Sequence, residues 1–217
     1  MITKNLQKRI YTSLILILLI FLIFNFKTVL VLSLIVFGVI SILEFFNITK
    51  KIFKNKLYLF ITSILFIFYV FIFSFMFFYF SHSIQFKIII FSLLLGCAAS
   101  DIGGFLIGKK FKGPKLTKIS PNKTISGAIG SLIFTSLVFS SSIFYFTGSF
   151  GYEILIISII TSIACQLGDL FFSLLKRKSK IKDTGTIIPG HGGILDRIDG
   201  MIFALPFAYV FFLNFNF

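Results

Sequence analysis

Seven long apolar runs, separated by short polar segments, constrain this 217-residue chain more than any other feature. They lie at roughly 10–26, 29–46, 57–80, 86–108, 125–147, 152–175 and 199–214. A helix needs about 20 apolar residues to cross the hydrocarbon of a bilayer, with a range of about 17–25. The runs are continuous rather than striped, which points to lipid as the solvent. Composition agrees: 57% of residues are hydrophobic, and only 13% are charged, against about 25% in a soluble domain. The pattern predicts an all-α, polytopic membrane bundle of about seven transmembrane helices with no separable soluble domain. Within the single domain 1–217, residues 1–90 read as N-terminal hydrophobic spans and 91–217 as spans and loops that carry chemistry. The Phe-rich run at 57–80 fits either one span or two short ones.

Charge placement tests the count. With the N-terminus inside and seven spans threaded, 19 of the 21 basic residues fall on inner segments, and only Lys27 and Lys87 fall outside. The positive-inside rule predicts this skew, whereas splitting the third run would move groups of lysines outward. The net charge of +14 therefore reads as topology and excludes nucleic acid as the implied partner. Lys4, Lys8 and Arg9 before the first run imitate a signal peptide, but no small-residue cleavage site follows, so an uncleaved first span is expected. Cys97 and Cys165 lie inside apolar runs and read as small buried thiols.

Only seven residues are acidic. Glu44 and Glu153 read as interfacial groups at span ends. Asp101, Asp169, Asp183, Asp196 and Asp199 gather near the inner ends of spans four, six and seven and in the last inner loop. Asp101 and Asp169 precede their span ends by seven and six residues, about 10 Å of helix. Charge at such depth costs about 2.5–3.5 kcal/mol on insertion scales and calls for a polar cavity, a cation or a basic partner. Gln166, Asp169, Ser173, Lys176 and Arg177 recur at helical spacing on one face of span six. Asp196 and Asp199 share a face at the start of span seven, where negative charge is favoured. The plain alternative is helix-packing ion pairs, such as Asp169 with Arg197.

Two loops, 109–124 and 176–199, alternate Lys with Gly. Gly admits close backbone approach to a ligand, and Lys supplies charge for phosphate. Lys109, Lys110 and Lys112 read as headgroup anchors. Lys123 differs, because the Ser120-Pro121-Asn122-Lys123-Thr124 turn holds it against span five. His191 lies between Gly190 and Gly192-Gly193, an arrangement suited to a ligand pocket. Carboxylates for a divalent metal, with Lys and Arg nearby, are equipment for a polyphosphate. At the membrane surface they suggest phosphoryl or nucleotidyl transfer to a lipid headgroup.

Residues 173–199 carry a specific pattern: Ser173-Leu174-Leu175-Lys176-Arg177, Lys182-Asp183, Gly185, Pro189, His191-Gly192-Gly193 and Asp196-Arg197-Ile198-Asp199. It resembles the signature of the phosphatidate cytidylyltransferase family. Asp101-Ile102-Gly103-Gly104-Phe105 with Gly108-Lys109, Ile119-Ser120-Pro121-Asn122-Lys123-Thr124 and Gln166-Leu167-Gly168-Asp169-Leu170 resemble further blocks of that family. Two positions depart from it: Ile125-Ser126 stand where an aromatic or Val and then Glu or Gln are common, and Phe172 stands where a carboxylate often precedes the Ser.

The resemblance implies that CTP and phosphatidate are converted to CDP-diacylglycerol and pyrophosphate at the cytoplasmic face of the inner (plasma) membrane. It implies Asp169 and Asp196 as ligands of Mg²⁺, with K⁺ as a second cation. Lys123, Lys176 and Arg177 would neutralise phosphate, and Ser173 would contact substrate. His191, Gly192 and Gly193 would shape the nucleotide pocket, and Arg197 and Asp199 would orient the site. Asp101 joins the site without an assigned role, and a homodimer is expected. Two rival readings are a CTP-dependent kinase of a lipid alcohol and an ion-coupled transporter. The second predicts polar groups at mid-membrane rather than gathered at one face.

Overall fold

In a computed structural model, the described residues are 4–117, 120–148, 150–187 and 192–214. They form seven helices: α1 (Lys4–Asn25), α2 (Lys27–Ile52), α3 (Lys56–Phe80), α4 (Ile84–Phe111), α5 (Ile125–Thr147), α6 (Tyr152–Lys178) and α7 (Leu195–Asn214). Each helix covers one predicted run, and 57–80 is one helix rather than two. No strand forms among the described residues; an isolated bridge joins Lys115 and Thr124. Helices α2 to α6 are long and apolar enough to cross a membrane, and α1 carries a shorter apolar stretch, Ile10–Asn25. Three of the first five residues of α7 are charged, so its apolar part starts late. The protein is an all-α, multi-pass membrane protein.

Lipid offers no hydrogen-bond partners, so a spanning backbone must close its own bonds. The ends are closed by side chains and special turns. Ser83 accepts from the Phe86 N–H at 3.3 Å to start α4, and Thr124 accepts from the Gly127 N–H at 3.1 Å to start α5. Gly148, left-handed at φ 68°, ends α5 with its N–H on the Phe144 carbonyl. Helix α6 ends in a Schellman turn. The Ile181 N–H reaches the Lys176 carbonyl and the Lys180 N–H reaches that of Arg177. The left-handed residue of this turn is Lys180, at φ 56°, a position that favours glycine.

The chain divides into two compact units, Met1–Tyr79 with Leu175–Ile198, and Phe80–Leu174 with Asp199–Phe217. In the first unit, α2 buries Ser41, Glu44, Phe45, Ile48 and Thr49 at three- and four-residue intervals. Phe45 stacks on Phe66 of α3, with ring centroids 3.8 Å apart.

In the second unit, α4 meets α5 nearly backbone to backbone. A Cβ on Gly103 would lie 2.6 Å from both the Gly130 carbonyl and Phe134, and one on Gly130 would lie 2.5 Å from Ile107. Small residues permit such approach in membranes. Helices α6 and α7 cross in the same way: Gly168 faces the Asp199 carbonyl, and Gly200 faces Cys165. Cys97, Cys165, Ala164 and Ala204 form one buried cluster there, with both cysteines as free thiols.

Two outcomes follow for thermal denaturation in detergent. Gly103→Val should destabilise the protein by about 1–3 kcal/mol, because the added atoms meet a backbone carbonyl that cannot yield. Lys180→Gly should stabilise it by about 1 kcal/mol, because a left-handed residue with a Cβ is strained.

Candidate active site

The sequence-predicted residues fall into two sets, one in each unit. In the second unit, Pro114–Leu116 run antiparallel to Lys123–Ile125. The Leu116 N–H donates to the Lys123 carbonyl at 2.8 Å, the Lys123 N–H to Ser120 at 3.0 Å, and the Ile125 N–H to Pro114 at 3.0 Å. Pro121 and Asn122 form the turn, so Lys123 stands one residue before the Thr124 cap. Its ammonium forms an ion pair with Oδ2 of Asp169 on α6. Asp169 thus pairs with Lys123, not with the Arg197 considered from sequence. One turn earlier, the Gln166 amide donates to the Ala128 carbonyl at 3.3 Å and to Ser162 Oγ at 3.2 Å, which fixes this face of α6 to α5. Asp169 directly follows Gly168, where α7 packs closest.

In the first unit, Lys176 donates from Nζ to Asp196 Oδ1 at 2.8 Å. This pair is well shielded, with side-chain exposures of 16% and 7%. Asp196 Oδ2 accepts from the Thr184 N–H at 2.7 Å, the Thr184 hydroxyl at 3.0 Å and the Gly193 N–H at 3.1 Å. Burial alone would raise the Asp196 carboxyl. The Lys176 ammonium, with the Thr184 and Gly193 N–H groups, outweighs it and holds the group below its ordinary value, ahead of the apolar part of α7. Asp196 is therefore ionised at neutral pH. One of its oxygens is committed to holding the loop, and the other faces a lysine.

Sequence reading missed two participants. Glu44 looked interfacial because span two was drawn to end at residue 46. Helix α2 runs on to Ile52, which leaves Glu44 eight residues, about 12 Å, inside it. It is 4% exposed, and it accepts from the Thr184 hydroxyl, the Ile194 N–H and the Leu195 N–H at 2.8, 3.1 and 2.9 Å. Thr184 carried no sequence signal beyond its place in the loop. Its hydroxyl contacts both Glu44 and Asp196 and, with one proton to donate, serves one at a time.

The glycines of this loop make room for protein rather than leaving open space. A Cβ on Gly193 would lie 2.1 Å from Thr184 Oγ1 and 2.5 Å from Glu44, and one on Gly185 would lie 2.4 Å from Glu44. Gly192, at φ 88°, would meet Asp196 at 3.1 Å and Asp183 at 3.4 Å. The backbone approach expected at Gly192 and Gly193 is thus made to the protein's own carboxyls.

The other candidates are more dispersed. Arg177, Arg197 and Asp101 are exposed, and Ser173 is half-buried. Half-buried Asp199 accepts the Gly200 N–H at 2.9 Å. His191 lies outside the described residues. Among the described residues, no three His, Cys, Asp or Glu side chains come together. Asp169 and Asp196 each meet a lysine.

A model of the cytidylyltransferase family matches residues 3–215. The phosphatidate cytidylyltransferase of Staphylococcus aureus is 44% identical over 119 residues, which are 53% of this chain and 45% of that one. Its Bacillus subtilis counterpart is 40% identical over 115 residues, 51% of this chain and 42% of that one. That of Mycobacterium leprae is 38% identical over 122 residues, 56% of this chain and 38% of that one. The matched stretch thus spans about two fifths of each of these relatives. With the family model matched almost end to end, the chain belongs to the cytidylyltransferase family.

Proposed function

We propose that this protein catalyses nucleotidyl transfer from CTP to phosphatidate, giving CDP-diacylglycerol and pyrophosphate. The observation that carries this reading is the pairing of each of Asp169 and Asp196 with a lysine at the polar end of a membrane helix. Family membership and relatives named phosphatidate cytidylyltransferase support it. A lipid phosphate oxygen attacks the α-phosphorus of CTP, the bond to the β-phosphate breaks, and pyrophosphate leaves. The attacking phosphate is largely ionised at neutral pH, so no general base is required.

The donors present fit a magnesium ion rather than a metal caged by protein. Mg²⁺ keeps several waters and takes one or two carboxylates plus substrate phosphates, so single Asp side chains suffice. Asp169 and Asp196 would be its protein ligands, where it supplies charge neutralisation for the transferring phosphoryl group. Lys123 and Lys176, already set against those carboxylates, would balance triphosphate or lipid phosphate, and exposed Arg177 would add to them. A second cation such as K⁺ belongs to the same proposal and is tested by replacing K⁺ with Na⁺. We place the protein in the bacterial inner membrane with these loops toward the cytoplasm, on the strength of the inner bias of Lys and Arg.

CTP labelled at the α-phosphate, supplied with phosphatidate or with lipid alcohols, tests the reaction. The lipid product should carry the α-label, with pyrophosphate released. Transfer of the γ-phosphate to an alcohol would establish the kinase instead, and ion movement with no pyrophosphate would establish a transporter. Asp169→Asn and Asp196→Asn should each lower turnover by about 100-fold or more with the protein still folded in the membrane; near-normal turnover would remove that residue from the site. Orientation is read with an impermeant maleimide, since both native cysteines are buried. Lys54→Cys should react only in inverted vesicles, and Tyr145→Cys only in right-side-out ones.

A further inference from the structure

Three consecutive amides at the start of α7 are shared between two carboxyl groups. The Gly193 N–H goes to Asp196, and the N–H groups of Ile194 and Leu195 go to Glu44. The Ile194 and Leu195 amides are among the donors that a helix start leaves without an intrahelical acceptor. Here they are satisfied by a side chain about 150 residues away in sequence, on α2. Among the described residues, no ammonium or guanidinium pairs with Glu44. Its bonds run to the loop backbone and to Thr184, the residue that also holds Asp196. The fit is tight, because a Cβ at either Gly185 or Gly193 would fall within 2.5 Å of a Glu44 oxygen.

We propose that Glu44 is a positioning residue for the transfer reaction: it clasps Thr184, Ile194 and Leu195 to α2 and so sets Asp196. This rests on the function proposed above, in which Asp196 takes the metal. The chemistry requires acceptors. Both Glu44 oxygens receive hydrogen bonds, so a side chain of equal size with only one acceptor oxygen must leave a buried amide unsatisfied. Asp196 Oδ2 depends on the same Thr184 hydroxyl and on the amide next to those that Glu44 holds. Once the clasp opens, Asp196 no longer has a fixed direction in which to present Oδ1.

The test uses the full chain in nanodiscs, with Glu44→Gln compared against wild type and Ser41→Ala. Ser41 is buried one turn away on the same face of α2, and its hydroxyl has no partner among the described residues. Without metal or nucleotide, amide exchange across 193–195 should rise at least tenfold in Glu44→Gln and stay unchanged in Ser41→Ala. The Mg²⁺ concentration for half-maximal pyrophosphate release should rise at least tenfold in Glu44→Gln, with a smaller fall in the rate at saturating Mg²⁺.

Unchanged exchange in Glu44→Gln overturns the clasp. Faster exchange with wild-type Mg²⁺ dependence overturns the positioning role and leaves Glu44 purely structural. If wild type releases no pyrophosphate, the proposed function falls and the positioning role falls with it, while the exchange data still decide whether Glu44 holds the loop. Should Glu44→Gln fail to fold, Thr184→Val reads the same quantities, since it removes the hydroxyl between the two carboxyls. The same two shifts are expected there, and their absence counts against the proposal.

Discussion

A backbone amide without an acceptor costs several kcal/mol in hydrocarbon, and the architecture of this chain follows from avoiding that cost. Within the spans the helices supply every acceptor themselves. The difficulty is confined to helix ends, where four donors have no intrahelical partner. Ser83 and Thr124 solve it locally for α4 and α5 with single hydroxyls. Helix α7 cannot, because the residue ahead of its first turn is Ile194. The Glu44 carboxyl, reaching across from α2, serves instead. Lys123 and Asp196 therefore sit where helices begin.

Close backbone approach is the second recurring device. At the α4–α5 and α6–α7 contacts, glycine lets helices meet at carbonyl distance, which suits a medium where packing rather than water expulsion drives association. The α6–α7 crossing at Gly168 stands next to Asp169, so the residue that meets Lys123 is carried on a firmly seated stretch of helix. In the loop between α6 and α7, Gly185 and Gly193 do the same at smaller scale and admit the Glu44 carboxyl where any side chain would exclude it. Glycines that resemble a ligand-binding signature thus also have a packing reason to be glycine.

Much of this was legible in the residues. Seven runs became seven helices within a few residues at each end, because lipid imposes one simple demand on length and polarity. Lys123, Asp169, Lys176 and Asp196 stood out as charges that such a chain needs a reason to keep. The pairing was not legible. Asp169 could be assigned to Arg197 as readily as to Lys123, since partners 46 residues apart are chosen by packing rather than by spacing. Glu44 escaped for a related reason. Apolarity marks where a run ends, but α2 continues through Asn47, Thr49, Lys50 and Lys51, so a buried group was taken for a surface one.

The sequence by itself determined the solvent, the number and limits of the helices, and the charged residues in the polar segments, because hydropathy and charge act residue by residue. Tertiary structure alone decided which lysine meets which aspartate, and that the amides opening α7 are capped by Glu44 from α2. Those outcomes depend on directions and distances between distant side chains, to which no local pattern is sensitive.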